Sequence, residues 1–344
     1  MQNSLFINAA FSKPTPRPPV WLMRQAGRYM KEYLAIKEKH SFLEMCRTPE
    51  IAADVTMLPV DLLGIDAAIM FSDILVTAEA MGGELSFENG SGPRFANPVR
   101  DKAGIDALIM PNVPERLAYV ADMIRIVKQR LNGRIPLIGF AGAPFTVMSY
   151  LVEGKSSRDF KITKQLLHNE PALAHELLSK IARVTTDYLN MQIEAGADAV
   201  QLFDSWAETL SWDDYKEFAH TYVSQIISGL NRKDIPVISF CKGSSVFAPL
   251  MAEAKPDVIS VDWNADLATL KQSLPKGIAV QGNLDPHILY ASKPVIKERI
   301  YRLFDRMREQ DGFIFNLGHG IMPDMPFENI KHAVDVVKEY TWQK

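Results

Sequence analysis

Short apolar, β-branched runs alternate along this chain with longer stretches of helical period. The runs fall at 20–24, 66–72, 136–141, 198–203, 236–241, 258–262, 278–282 and 313–317. They are too short for ordinary helices and mostly lack polar alternation, which is the pattern of parallel strands buried on both faces. Between them the apolar positions recur every three or four residues. The clearest case is 170–194, where Leu173, Leu177, Ile181, Val184 and Tyr188 share one helical face. A second helix is predicted from Pro49 to Leu63, with Thr48 as N-cap and Pro49 at the first helical position. Eight strands separated by helices predict an α/β fold, a single (β/α)₈ TIM-type barrel occupying residues 1–344 as one domain. An open doubly wound sheet is the structural alternative.

Two segments interrupt the alternation. Residues 12–19, SKPTPRPP, hold four prolines. Proline lacks an N–H and disfavours helix before it, so an extended N-terminal arm is expected. Residues 82–98 contain two short alternating pieces around Asn89-Gly90, a strong hairpin signal. They predict a β-hairpin inserted after the second strand.

Composition narrows the class. A chain of 344 residues with 47% hydrophobic content buries most of its unfolded surface and needs no disulfide framework. Its only cysteines are Cys46 and Cys241, and their use points to a reducing, cytoplasmic setting. The N-terminus has no leader pattern and no run of 18 apolar residues occurs, so no membrane association is expected. The net charge of −3 argues against a general nucleic-acid binder. Charge is uneven, however. Residues 1–50 carry eight basic against four acidic side chains, with Arg24 and Arg28 just after the first apolar run.

In a barrel the active site lies where strands end, so the residues after each run matter most. Arg24 and Arg28 follow the first run, Ser72-Asp73 the second and Gly142-Ala143-Pro144 the third. Asp204-Ser205, Lys242-Gly243, Asp262-Trp263, Gly282-Asn283 and Gly318-His319-Gly320 follow the others. Lys242 and Asn283 fit ordinary polar loops. Asp73 and His319 follow long apolar runs that aim them into the mouth. Gly154-Lys155-Ser156 resembles the tail of a P-loop, but Ser149 stands where the required glycine should be. There is no G-x-S-x-G, no H-E-x-x-H and no C-x-x-C, so no cofactor and no metal are expected.

Several segments carry a resemblance. Trp21-Leu-Met-Arg-Gln-Ala-Gly-Arg-Tyr29 resembles the signature of the uroporphyrinogen decarboxylase family. Ile69 to Leu75, Gly139 to Thr146 running on to Tyr150, Gln201 to Ser205, Gln281 to Pro286 and Asn316 to Gly320 resemble its further motifs in order. The resemblance covers roughly residues 18–340. It implies a homodimer of barrels, each with a deep cleft, and substrate contact by Arg24, Gln25, Ala26, Gly27, Arg28, Asp73, Tyr150, Ser205 and His319. It further implies decarboxylation of the four acetate side chains of uroporphyrinogen III, giving coproporphyrinogen III in tetrapyrrole biosynthesis. A protonated pyrrole serves as the electron sink for such a reaction, which accounts for the absence of a cofactor.

Within that implied chemistry, Arg24 and Arg28 supply fork-shaped cations for carboxylates. Asp73 accepts pyrrole N–H bonds and opposes the developing ring cation, acting as transition-state stabiliser; its structural alternative is a helix cap. Tyr150 and Ser205 offer hydroxyls to carboxylates, and His319 a hydrogen bond to a propionate. The proton donor stays open between Arg24, a substrate carboxyl and water. One departure is Lys37, where some family members have arginine; lysine keeps the charge without the fork. A corrinoid-related methyltransferase of the same barrel superfamily is the alternative enzyme class. It needs zinc held by a His-x-Cys pair and a later cysteine, whereas here Ser239 precedes Cys241 and no cysteine follows. A non-catalytic tetrapyrrole carrier is the third reading.

Overall fold

Seven parallel strands lie side by side in chain order: β1 (Ala68–Ile69), β4 (Leu137–Gly142), β5 (Ala199–Asp204), β6 (Val237–Cys241), β7 (Val258–Ser260), β8 (Ala279–Leu284) and β9 (Phe313–Leu317). The computed structural model describes residues 5–88 and 92–342. Consecutive order with helices in every crossover from β4 onward is the arrangement the βα rhythm predicts. β4, β5, β6, β8 and β9 are buried at every position, which is why their sequences read as apolar runs rather than alternating ones.

The first two predicted strands are shorter than their apolar runs. Of residues 20–24 only Val20 pairs, through a parallel bridge to Phe315. Its carbonyl also accepts the Asp66 N–H at 2.7 Å, so this segment bonds toward both the last strand and the start of the first. The ladder stops there because side chains take the next amides. Leu22 N–H donates to Gln25 Oε1 at 3.1 Å and Met23 N–H to Asn316 Oδ1 at 3.0 Å. Of residues 66–72 only Ala68–Ile69 form a strand, since Phe71 N–H donates to the Thr56 hydroxyl.

The predicted helices appear as Pro49–Leu63 and Pro171–Ala195. Thr48 is the N-cap residue of the first, but its side chain makes no cap bond, so Pro49 at the first helical position carries that signal. β2 (Leu85–Glu88) and β3 (Gly92–Phe95) pair antiparallel. The predicted Asn89-Gly90 turn lies outside the described residues. Residues 13–19 form neither helix nor strand, and a helix absent from the sequence reading, Leu5–Ala10, precedes them. No helix among the described residues is long and apolar enough to cross a membrane.

The main apolar core runs from Phe6 to Val337, with a smaller cluster of Met30, Tyr33, Met45 and Val55 beside it. A fully buried Leu, Ile or Phe side chain stabilises by about 1.5–3 kcal/mol, so this core is the main source of rigidity beneath the strand ends. A polar layer crosses it. Trp21 Nε1–H donates to Gln281 Oε1 at 2.8 Å, and Gln281 Nε2–H donates to Ser260 Oγ at 2.9 Å. These bonds satisfy polar groups that would be costly if left alone, and they tie the first segment to β7 and β8.

Candidate active site

A cavity of about 480 Å³ opens at the C-terminal ends of the strands. Its polar lining comes from five places: the segment after Val20 (Arg24, Arg28), the loop after β1 (Ser72, Asp73), the helix after β4 (Tyr150), the loop after β5 (Ser205) and the loop after β9 (His319). Much of the remaining wall is aromatic or aliphatic, including Phe71, Phe140, Phe203, Ile321 and Met322. A concave apolar wall with few convergent polar groups is the usual form of a small-molecule site.

The two arginines stand without anionic partners. Neither forms an ion pair or hydrogen bond among the described residues, although each lines the cavity and keeps exposed surface. Desolvation lowers the Arg24 pKa; Tyr150 opposes this and the like charge of Arg28 adds to it. The guanidinium nevertheless remains charged at any ordinary pH. Arg24 also has φ +62°, the left-handed region that a non-glycine residue adopts only at some cost. Its side chain runs directly over Gly320, where a β-carbon would sit 2.6 Å from Arg24 Cγ. The glycine after His319 is therefore required by the path of the arginine.

Asp73 is held by the same logic of unmet charge. Its Oδ1 accepts the Leu75 N–H at 2.8 Å, and no Lys, Arg or His among the described residues pairs with it. Burial pushes its carboxyl up to about 6; the Leu75 amide opposes the rise and the Glu79 carboxylate adds to it. The structural alternative from the sequence was a helix cap. The helix Val76–Ala80 begins after Leu75 and receives no side-chain cap bond, so Asp73 caps the turn before it and not the helix. The loop can lie this close because β4 ends in Gly142, whose β-carbon would stand 2.7 Å from the Ile74 carbonyl oxygen.

The cavity gathers all nine residues that the resemblance implies as substrate contacts, and Lys37 is not among its lining. Ala26 and Gly27 contribute wall between the arginines. Gln25 lines the cavity, but its side chain is fully buried and committed to Leu22 N–H and the Ala67 carbonyl. Its contribution is therefore to hold the loop shape. The Tyr150 ring packs edge-on to Trp206 at 6.0 Å, and burial raises the pKa of its phenol. Burial also pushes His319 down to about 4, with Arg24 and Lys242 adding to the shift, so its ring is neutral near pH 7. Lys242 pairs with Glu208 at 2.5 Å and Lys37 is exposed at the end of its helix, away from the lining.

Sequence reasoning missed the aromatic wall. Phe140 and Phe203 lie within strands and read as core. Phe42 and Phe87 come from a helix and from β2, packed at 4.7 Å, and nothing in their local sequence marks them as cavity lining. The motif residues Gln201, Gln281 and Asn316 are fully buried and do not line the cavity. Cys241 is also fully buried, with the Met251 sulfur at 3.4 Å. No group of three or more His, Cys, Asp or Glu residues suited to a metal occurs among the described residues.

A profile of the family "Uroporphyrinogen decarboxylase (URO-D)" matches residues 1–340. The uroporphyrinogen decarboxylase of Chloroherpeton thalassium is 48% identical over 344 residues, covering 98% of each chain. That of Protochlamydia amoebophila is 49% identical over 337 residues, covering 98% of this chain and 92% of the relative. Among solved structures, a methyltransferase from Methanosarcina mazei superposes with a TM-score of 0.81 at 21% identity, covering 97% of both chains. At that identity the likeness concerns the fold alone.

Proposed function

The chain belongs to the uroporphyrinogen decarboxylase family, and we propose that it removes the four acetate carboxyls of uroporphyrinogen III without a cofactor, giving coproporphyrinogen III. The observation that carries this reading is one cavity holding two guanidiniums and a carboxylate that form no ion pair among the described residues and do not neutralise one another. Such a site is complementary to a ligand bearing both anions and N–H donors. A porphyrinogen, with carboxylates on its rim and four pyrrole N–H groups at its centre, supplies both.

Each decarboxylation takes up one proton: R–CH₂–CO₂⁻ + H⁺ gives R–CH₃ + CO₂. Protonation of a pyrrole carbon creates a cation beside the acetate, and the electron pair of the breaking C–C bond flows into the ring as CO₂ leaves. A second proton converts the exocyclic CH₂ to methyl, and the ring carbon returns the first. Arg24 and Arg28 hold carboxylates through charge-assisted bonds, each worth about 1.5–3 kcal/mol. Asp73 accepts N–H bonds and opposes the ring cation while largely ionised at neutral pH. Tyr150 and Ser205 donate hydroxyls to rim carboxylates, and neutral His319 donates an N–H to a propionate. The apolar wall excludes water and strengthens these interactions.

The finer architecture belongs to the same reading. The run 20–24, through Val20, supplies the eighth strand position that closes the sheet into a (β/α)₈ barrel, with β2 and β3 as an inserted hairpin and residues 1–344 as one domain. The barrel pairs as a homodimer and works in the cytoplasm. The methyltransferase alternative is opposed by Cys241, whose thiol is enclosed and raised well above its ordinary pKa by burial. The test is anaerobic incubation with uroporphyrinogen III, followed by chromatography of the products. Stepwise loss of carboxyls with CO₂ release is expected; binding without turnover would leave the carrier reading instead.

A further inference from the structure

Behind the cavity wall lies a buried carboxylate that the chemistry above does not use. Asp204, the last residue of β5, is 2% exposed, and no Lys, Arg or His among the described residues pairs with it. Its Oδ1 accepts the Thr146 hydroxyl at 2.6 Å, whereas its Oδ2 has no partner. Burial pushes this carboxyl up to about 6, opposed by the bonds from Thr146. A half-satisfied buried carboxylate is a poor device for stability alone.

What the bond connects is informative. Thr146 lies on the helix Pro144–Glu153, and Tyr150 follows four residues later on the same face. The Thr146 hydroxyl also accepts the Trp206 N–H at 3.2 Å. Asp204 and Trp206 flank Ser205, so Thr146 grips the chain on both sides of it. The Asp204 carbonyl in turn accepts the Lys242 N–H at 3.1 Å, and the Trp206 ring packs on Tyr150. One fully buried hydroxyl thus ties the helix that presents Tyr150 to the loop that presents Ser205.

We propose that Thr146 and Asp204 are positioning residues that fix the spacing of the Tyr150 and Ser205 hydroxyls along the cavity wall. The proposal rests on the reading of those hydroxyls as contacts to substrate carboxylates. Two hydroxyls that grip one polyanion must keep their separation, because small misplacements in a bound geometry are expensive.

The experiment uses the full-length protein and steady-state decarboxylation of uroporphyrinogen III, with thermal unfolding as the folding control. Thr146→Val keeps the shape and deletes the hydroxyl. It should lower kcat/KM about tenfold, chiefly through KM, while Thr146→Ser restores most of it. Asp204→Asn keeps an acceptor oxygen for Thr146 and should stay within about threefold of wild type. The deciding comparison is a cycle in which Thr146→Val is introduced into Tyr150→Phe/Ser205→Ala. There its further penalty should shrink to less than about twofold, since nothing is left to position. An undiminished penalty in that background would mean a purely structural role and overturn the proposal. So would wild-type kcat/KM for Thr146→Val when Tyr150→Phe and Ser205→Ala are impaired. If those two variants themselves have normal kcat/KM, the reading of the hydroxyls fails and takes the proposal with it. If Thr146→Val does not fold, Asp204→Leu, which removes the acceptor, takes its place in the same cycle: a loss of about tenfold that shrinks in Tyr150→Phe/Ser205→Ala supports the clamp, and wild-type kcat/KM or an undiminished loss overturns it.

Discussion

Asp73 bears two opposed demands, and substitutions separate them. Asn keeps the acceptor for Leu75 N–H but removes the charge, so decarboxylation should fall by about 10²–10³-fold, the scale of losing one electrostatic stabiliser. Glu keeps the charge displaced by a methylene and should retain more activity. Stability should move the other way. The folded-state carboxyl is raised from 3.8 to about 6, so ionising it costs the fold about 3 kcal/mol at pH 7. This cost is nearly absent below about pH 4, grows between about pH 4 and 6 and is fully present above that. Asp73→Asn should therefore unfold at higher temperature than wild type at pH 7 and lose that advantage at pH 4; equal melting temperatures at both pH values would contradict the strained carboxylate. In activity, kcat/KM should fall as pH drops through about 6. His319 cannot produce that limb because its pKa lies near 4. Asp204 titrates in the same range as Asp73, so the limb should survive Asp204→Asn if Asp73 sets it.

The loops at the strand ends work by backbone shape as much as by side-chain identity. The segment after Val20 leaves the sheet because Gln25 and Asn316 take its amides, and this turn delivers Arg24 and Arg28 to one wall. Arg28→Ala should raise KM and reduce kcat/KM about tenfold or more, consistent with one charge-assisted contact, with little change in melting temperature. Normal kcat/KM in that variant would make the arginine structural. Gly320→Ala tests the same wall from the opposite loop. Its β-carbon enters the space of the Arg24 side chain, so the variant should fold yet lose kcat/KM, and a wild-type value would show that Arg24 needs no fixed path. Tyr150 and Ser205 belong to this scale too, since both depend on the junction between their elements.

For the whole molecule the expectations concern assembly and independence from metal. Light scattering should give about twice 38.6 kDa at micromolar concentration; a clean monomer would contradict the dimer. Exhaustive treatment with EDTA, alone or with Cys241→Ala, should leave decarboxylation intact, and a loss restored by added zinc would sink the cofactor-free reading. The packed core makes these tests readable. With a large main core from Phe6 to Val337, a substitution at the strand ends can impair chemistry without dissolving the framework below.

The apolar period of the chain determined the βα rhythm, because side chains buried on both faces of a parallel strand leave an unbroken run. β9 (Phe313–Leu317) lies where the run 313–317 places it, and the helix Pro171–Ala195 is offset by one residue at each end from 170–194. The charged candidates Arg24, Arg28 and Asp73 were legible too, since a charge beside a buried run demands a reason. Other features required tertiary structure. Strand length at 20–24 was set by side chains distant in sequence, as Asn316 Oδ1 captures Met23 N–H. Gln25 reads like its neighbours, but its amide turns inward to Leu22 and Ala67. Phe42 and Phe87 become cavity wall only because a helix and a strand from separate parts of the chain meet there. Local sequence encodes which surfaces are apolar and where charge is placed. Which hydrogen-bond donor reaches which acceptor is decided when elements pack, and for Arg24 and Asp73 the outcome is an absence of oppositely charged partners among the described residues that no stretch of sequence could show.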